Sequence, residues 1–359
     1  MKPSKFFIRF FVVLFWIGII LAFLYFPNLK VLPEEENSIV IFAWGDILDS
    51  DVVSDFEKKT GIKVHLNYYS SNEELLVKLR ATEGAGYDLI MPSDYSVVPM
   101  IKEKLVKELD RSQMDFFKSL NPSLLGHFFD PDNRYSVPFS WEVYGLGVDK
   151  DYFTNRPFEP SWKLIFDKNS IDYKISMINE PLEAVTVAGF YLYNKSVDFS
   201  PKEFEGIHQL LKEQRAWVEA YANFRGDYFL ATRNCPVAVA TSSYMWKSKK
   251  LFPFIKFVIP QEGTYITIEN FCIPIKSKKE KAVYTFLNYI FSAQSAAIHF
   301  ENFGFFPSTL SGTHLMELDE DAKELMFTPK EEFGKFKFFN PTILPEEELH
   351  KLWIELKTY

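Results

Sequence analysis

Carboxylates and aromatic side chains follow several short apolar runs of this sequence, at points where strands would end. Two such places carry Trp44 and Asp46 after residues 39–42, and Ser93, Asp94 and Tyr95 after residues 88–91. Because open α/β sheets bind ligands at the carboxyl ends of their strands, we expect a ligand site there. Carboxylates attract an ammonium group, and aromatic faces contact cations and methylene chains. The alternatives are that Trp44 is a core residue and that Asp94 is a solvated loop residue.

Three further glutamates are candidate site residues because of where they lie in the predicted elements. Glu180 and Glu183 flank Pro181 at the predicted start of a helix, three residues apart, so both could face one way. Acids in a first helical turn also complement the helix dipole, which leaves a purely structural role open. Glu269 lies in the otherwise apolar stretch 267–273, where a charge needs a partner.

The composition narrows the class of protein. A chain of 359 residues with 47% hydrophobic residues is not disordered, and its length suits two lobes. The formal charge is −8, and no basic run or stripe follows the N-terminal segment. Nucleic-acid binding is therefore disfavoured, because nothing would neutralise the phosphates.

Sequence motifs for cofactors and metals are absent. The sequence contains no phosphate-binding loop, no serine-hydrolase elbow and no zinc-binding H-E-x-x-H motif, and its six histidines are scattered. We therefore predict no cofactor and no metal. The adjacent Tyr68 and Tyr69 could suggest ferric-ion binding, but on a strand their rings would face opposite sides.

The hydrophobic pattern predicts alternating strands and helices. In the first third these are strand 39–42, helix 50–59, strand 62–68, a helix after Ser71, strand 88–91 and a helix near Ser96. This βαβαβα order is typical of a parallel sheet. The later predicted elements are an extended segment 135–148, strands 175–178, 237–240 and 266–275, helices 181–193, 200–223 and 279–291, and a surface helix 345–357.

The first 37 residues have the pattern of an export segment. Lys2, Lys5 and Arg9 precede the uncharged run 10–26, after which no small-residue cleavage site follows. We expect an uncleaved membrane anchor with a spacer, whose positive end stays in the cytoplasm while the remaining chain lies outside. A cleaved signal peptide is the alternative.

Two cysteines, Cys235 and Cys272, lie in the part that would be exported. Their spacing does not match a zinc site. They could form a disulfide or remain two buried thiols.

Short motifs in a shared order identify a family. They are Phe42-Ala43-Trp44-Gly45-Asp46, Thr60-Gly61-Ile62-Lys63-Val64, Tyr87-Asp88-Leu89-Ile90-Met91-Pro92-Ser93, Asp130-Pro131-Asp132-Asn133 with Tyr135-Ser136-Val137-Pro138 and Trp141, and Pro260-Gln261-Glu262-Gly263. Over nearly all of residues 38–359, this succession resembles the periplasmic polyamine-binding proteins of ABC transporters. Each motif is only moderately specific, but their common order makes coincidence improbable.

The resemblance implies an α/β fold of the two-lobe periplasmic-binding-protein kind (type II). Each lobe would be a mostly parallel sheet flanked by helices, and the lobes would close on the ligand. One lobe would contain residues 38–142 with 270–306, and the other residues 143–269 with 307–359. The hinges would lie near residues 140–145, 267–274 and 306–307.

The resemblance also implies the ligand contacts. By position, these would be Trp44, Asp46, Ser93 and Tyr95 in the first lobe, with Glu180, Glu183 and Glu269 as the acids that meet ligand amines. Thr241 and Thr267 stand where the family commonly has tryptophans. Gly45, Ile47 and Phe339 are further departures from its pattern. The pocket should therefore be less aromatic than is usual, which leaves the identity of the polyamine open.

The predicted function is capture of a putrescine-like or spermidine-like cation and its delivery to an ABC permease and ATPase complex. The protein would be a monomer in the periplasm, anchored to the inner membrane if its N-terminal segment is not cleaved, and would not be an enzyme. Alternatives are a ligand sensor or structural envelope protein on the same fold, a binder of another small cation, and a glycosidase-like enzyme that uses Glu180 and Glu183 as its acid pair.

Overall fold

A computed structural model describes residues 14–16, 37–222, 225–338 and 346–358. The chain divides into a unit of residues 1–38 and a unit of residues 39–359. Residues 14–16 of the first unit are helical, and most of the predicted membrane segment lies outside the described residues. None of the helices formed by the described residues has the length and apolar character needed to cross a membrane.

The first third folds as the pattern predicts. The elements are β1 (Ser38–Trp44), α1 (Ser50–Thr60), β2 (Lys63–Tyr69), α2 (Asn72–Thr82), β3 (Leu89–Ile90) and α3 (Asp94–Lys102), and the strand order is β2-β1-β3. Strands β1 and β3 are parallel. The Asp49 carboxylate accepts the first N–H groups of α1, and Gly61 ends that helix at φ 72°, where a side chain would be strained.

The middle of the sequence is organised around one long strand, β4 (Val137–Asp149). It pairs antiparallel with β7 (Val237–Thr241), β8 (Ile255–Val258) and β9 (Thr264–Phe271), and with the short β10 (Phe306–Pro307). The strands β5 (Ile175–Ile178), β6 (Val218–Ala222) and β11 (Phe336–Phe338) complete an eight-stranded sheet of order β11-β9-β4-β7-β5-β6, with β8 and β10 both added to β4. The three segments predicted as hinges are therefore neighbours in this sheet.

The remaining helices flank the strands. They are α4 (Lys163–Phe166), α5 (Pro181–Tyr193), α6 (Pro201–Gln214), α7 (Gly226–Ala231), α8 (Ser242–Leu251), α9 (Glu280–Ile290), α10 (Ala293–Phe303), α11 (Glu320–Met326) and α12 (Glu346–Thr358). The predicted helix 200–223 was too long, because its last part forms β6 and pairs with β5. Pairing with a neighbouring strand outweighs local helix propensity there.

The β4–β9 ladder separates core from polar residues. Trp141, Val143, Ile266 and Ile268 point to one side of the ladder and are buried in a large apolar cluster. A second cluster contains residues of β5 and α5 together with Leu349, Leu352 and Leu356 of α12, which are buried. The side chains on the other face of the ladder are mostly polar, and they form the candidate site. The boundaries of the two predicted lobes stay a prediction.

Cys235 and Cys272 are both buried and unpaired with each other. The interpretation as two buried thiols is therefore confirmed. Burial raises the pKa of the Cys235 thiol to about 11, so it is protonated and unreactive near neutral pH.

Candidate functional site

One face of the β4–β9 ladder carries the candidate site. In the antiparallel register, Ser140 lies opposite Glu269 and Glu142 lies opposite Thr267, while Tyr144 pairs with Thr241 on the other side of β4. Directly paired residues point to the same face, and every second residue of a strand returns to it. The shared face therefore presents Ser140, Glu142 and Tyr144 from β4, Tyr265, Thr267 and Glu269 from β9, and Thr241 from β7.

The Glu269 carboxylate connects β9 to Trp44 at the end of β1 and to Ser93 after β3, in the three-stranded sheet β2-β1-β3. The Ser93 hydroxyl donates to Oε1 at 2.7 Å, and the indole N–H of Trp44 donates to Oε2 at 2.9 Å. Only 9% of Glu269 is exposed, and burial raises the pKa of its carboxyl to about 8 against the effect of these two donors. The partners of Glu269 are thus neutral groups rather than a cation.

The aromatic and polar residues around Glu269 form one connected set. The Trp44 ring lies 4.6 Å from the Tyr69 ring at a tilt of 56°, and Trp44 is half-buried. The Asn72 amide donates to Ser93 Oγ at 3.0 Å and to the Tyr95 hydroxyl at 2.8 Å. Trp44, Ser93, Tyr95 and Glu269, which the sequence could place only at separate strand ends, are brought together.

Asp94 is not a solvated loop residue. It is fully buried, and its Oδ2 accepts the N–H of Ile268 at 2.8 Å, while Oδ1 has no hydrogen-bond partner among the described residues. Burial raises the pKa of Asp94 to about 7. Asp94 thereby fixes α3 against β9 directly behind Glu269.

Glu183 is held on the opposite side by α5. Pro181 occupies the first turn of this helix, where its missing N–H costs nothing, and Glu183 is turned inward and only 7% exposed. The Tyr144 hydroxyl donates to Glu183 Oε1 at 3.0 Å, but Oε2 is buried without a hydrogen-bond partner in the described part of the chain. Burial raises the pKa of Glu183 to about 8.

Two aromatic rings that were not among the predicted contacts lie beside Glu183. The rings of Tyr144 and Tyr265 stack with their centroids 3.8 Å apart at 26°. Glu180 lies at the exposed N-terminal cap of α5, where its charge adds to the raised pKa of Glu183. The two acids are therefore neighbours, but only Glu183 is buried.

Glu142 is a fourth acid at the site, and the predicted contacts did not include it. It is half-buried, and the Ser243 hydroxyl donates to its Oε2 while Thr241 Oγ1 and Ser243 Oγ lie 2.9 Å apart. Burial raises the pKa of Glu142 to about 7, although both hydroxyls favour the ionised form. The signal was present in the sequence, since Glu142 interrupts the apolar strand 137–148 as Glu269 interrupts β9.

The remaining predicted contacts differ in burial. Thr241 is fully buried at the end of β7, and Thr267 is half-buried opposite Glu142. Asp46 is exposed in a left-handed conformation with φ 55°, and its charge contributes to the raised pKa of Tyr244 on α8. Asp46 is therefore within electrostatic range of α8.

The electrostatics of the site favour a bound cation. Glu269 and Glu183 each feel the charge of Glu142, so ionisation of one carboxyl disfavours ionisation of the others. Within residues 37–222 and 225–338, none of these three forms an ion pair with a lysine, arginine or histidine. The described residues contain no group of side chains suited to a metal ion. An organic cation would supply the missing positive charge.

The sequence is similar to known solute-binding proteins. The sequence matches the family model for bacterial extracellular solute-binding proteins over residues 51–323. It is 28% identical over 280 residues to the putrescine-binding periplasmic protein SpuD of Pseudomonas aeruginosa, covering 73% of this chain and 76% of that protein. It is 25% identical over 311 residues to the spermidine/putrescine-binding periplasmic protein of Salmonella typhimurium, covering 86% and 88%.

A solved structure is similar in fold. The spermidine/putrescine ABC transporter substrate-binding protein PotD of Streptococcus pneumoniae matches with a TM-score of 0.76 and 22% identity, covering 90% of this chain and 99% of that one. The predicted fold class, α/β of the type II periplasmic-binding-protein kind, is confirmed by this likeness. The eight-stranded sheet is mixed rather than mostly parallel as predicted, because the long strand β4 pairs antiparallel with four strands.

Proposed function

The chain belongs to the bacterial extracellular solute-binding proteins, and from that premise we propose that it captures a polyamine such as putrescine or spermidine. The ligand would be handed unchanged to an ABC permease and its ATPase, as expected of a transport receptor rather than an enzyme. Two relatives are named as a putrescine-binding and a spermidine/putrescine-binding protein. Their alignments cover 73% and 86% of this chain.

The observation that carries this proposal is the set of buried carboxyls without a cationic partner. Burial raises the pKa values of Glu269 and Glu183 to about 8 because each charge is taken out of water uncompensated. A protonated amine beside the Glu269 or the Glu183 carboxyl would lower its pKa again. A close charge pair contributes about 4 kcal/mol at an effective dielectric constant near 20, before desolvation. Two such pairs at the ends of a methylene chain suit a diamine or longer polyamine.

Aromatic side chains supply the second requirement. Trp44 and Tyr95 lie beside Glu269, and Tyr144 and Tyr265 lie beside Glu183. An amine over one of these rings gains about 0.5–2 kcal/mol, and the methylene groups gain from apolar contact. Together with the charge pairs, these contributions support micromolar binding, which corresponds to about −8 kcal/mol.

Closure of two lobes would complete capture. The segments near residues 140–145, 267–274 and 306–307 would bend as hinges, and the lobes would be those of residues 38–142 with 270–306 and 143–269 with 307–359. The acting form would be a periplasmic monomer, tethered to the inner membrane if the N-terminal segment remains uncleaved.

Isothermal titration calorimetry of the full chain tests the proposal. We expect putrescine, cadaverine or spermidine to bind with micromolar affinity and one ligand per chain. The matched control ligand is 1,4-butanediol, which has the length of putrescine without its charges and should not bind. Absence of binding by every polyamine at millimolar concentration would overturn the substrate assignment.

A further inference from the structure

On β4, Glu142 lies between the level of Glu269 and that of Tyr144, whose hydroxyl holds Glu183. It projects from the middle of β4, on the ladder face shared with Glu269, and its charge raises the pKa of both Glu269 and Glu183. Glu142 is therefore close enough to interact with either end of the site.

The ladder sets the spacing of Glu269, Glu142 and Tyr144, and the Tyr144 hydroxyl in turn holds Glu183. Glu269 is level with Ser140, Glu142 is two residues further along β4, and Tyr144, which holds Glu183, is two residues beyond that. At about 3.4 Å per residue, successive levels are about 7 Å apart. Neighbouring amines of a linear polyamine, joined by three or four methylene groups, are about 5–6 Å apart for bonds near 1.5 Å.

The protein fixes the Glu142 carboxyl without neutralising it. The hydroxyl of Ser243 donates to it, Thr241 stabilises the same ionised form, and α8 begins at Ser242 with its positive dipole end beside it. No described lysine or arginine forms an ion pair with Glu142.

An independent feature shows that the row of acids is incomplete without a ligand. The Oε2 atom of Glu183 is buried and has no hydrogen-bond partner among the described residues. A buried acceptor costs free energy unless a donor reaches it, and an ammonium group carries up to three donors.

We propose that Glu142 is a third ligand carboxylate, which pairs with an interior ammonium group and makes the site selective for a linear triamine over a diamine. This inference rests on the proposed function and names its substrate more narrowly. A triamine would place one ammonium at each of Glu269, Glu142 and Glu183. A diamine of putrescine length would leave one of the three acids without a partner.

The experiment compares spermidine with putrescine by titration calorimetry of the full chain and its Glu142→Gln variant. Glutamine keeps the shape of the side chain and an oxygen that accepts from Ser243, so the fold should be retained. We expect wild type to bind spermidine at least tenfold more tightly than putrescine. In the variant, spermidine affinity should fall at least tenfold while putrescine affinity changes less than threefold.

Two controls make the outcomes distinct. Glu205→Gln removes one exposed charge from α6 and should change neither affinity, and Glu142→Asp tests whether a shortened carboxylate retains part of the preference. If wild type binds neither amine, the proposed function itself fails. If wild type binds polyamines but prefers putrescine, or if Glu142→Gln weakens both amines equally, polyamine binding stands and the role of Glu142 is overturned.

Discussion

The two ends of the site hold their acids in different ways. Glu269 has a donor on each oxygen, from Ser93 and from Trp44, and both donors are brought to it by other parts of the chain. For Glu183, the Tyr144 hydroxyl donates to Oε1 and the nearby Tyr265 hydroxyl favours the ionised form, but Oε2 is buried without a hydrogen-bond partner among the described residues. The Glu269 end is therefore ordered before a ligand arrives, whereas the Glu183 end retains unused hydrogen-bonding capacity.

We infer from this difference that the two ends contribute differently to ligand binding. Groups already satisfied by the protein orient a ligand without reorganisation, so they favour specificity of position. A buried acceptor without a donor gains most when a ligand supplies one. We expect the Glu269 end to position an amine and the Glu183 end to contribute more of the binding free energy.

The largest expected effect is that of pH, which tests whether both ends must ionise. Because the folded-state pKa values of Glu269 and Glu183 are raised to about 8, binding should weaken as pH falls below that value. Each carboxyl that must lose a proton contributes about a tenfold loss per pH unit. Affinity should fall about 100-fold between about pH 7 and pH 6, measured by calorimetry in several buffers.

The single variants Glu183→Gln and Glu269→Gln sharpen this result, because each should reduce the slope by one proton. A slope unchanged in both would show that neither acid ionises on binding. Without ligand, the stability of the fold should depend on pH in the opposite direction to the binding affinity. A raised carboxyl pKa means that the folded state binds more protons, so the free energy of unfolding should decrease as pH rises from about 4.5 to about 8.

An effect of similar size, at a single pH, should follow from Glu183→Gln. Loss of the charge should weaken polyamine binding about 100-fold, or about 2.7 kcal/mol, because the facing ammonium loses its buried partner. The matched control is Glu180→Gln, an exposed acid one helical turn away, which should cost less than about fivefold since exposed pairs contribute little. Equal losses in both variants would contradict the assignment of Glu183 as the principal acid at this end.

Trp44→Ala tests the aromatic part of the other end. We expect affinity to fall about 10- to 30-fold, because both the ring face and the N–H that holds Glu269 are lost. Trp44→Phe keeps a ring but not the donor, so it should lie between wild type and alanine. Unchanged affinity in Trp44→Ala would return this residue to a purely structural role.

The smallest effect should come from Ser93→Ala, which removes one of the two donors on Glu269. The expected loss of stability is about 1–2 kcal/mol, the cost of leaving a buried acceptor with one partner fewer, measured by urea unfolding. Ser140→Ala is a suitable control, because the Ser140 hydroxyl is buried on the same ladder face without a hydrogen-bond partner among the described residues. If the two variants were equally stable, the Ser93 bond would not order this end.

Sequence patterns predicted much of the fold because they report local physics. Alternation of apolar residues gave the βαβαβα order, and Asp49 and Gly61 marked the ends of α1 through capping. Helix 200–223 was too long because its last residues are held by pairing with β5, a contact between distant parts of the chain. Asp94 is a second example of a contact that no local pattern predicts. Its buried carboxyl accepts the N–H of Ile268, which is far away in the sequence.

For the site, the sequence by itself determined which residues carry charge and which positions along a strand share a face. The period of two in β4 and β9 already aligned Glu142 with Tyr144 and Thr267 with Glu269. Only the tertiary structure decided that these two strands are neighbours and in which register. Strand pairing depends on contacts between residues far apart in sequence, such as Trp44 with Glu269, so no local pattern specifies which acids meet.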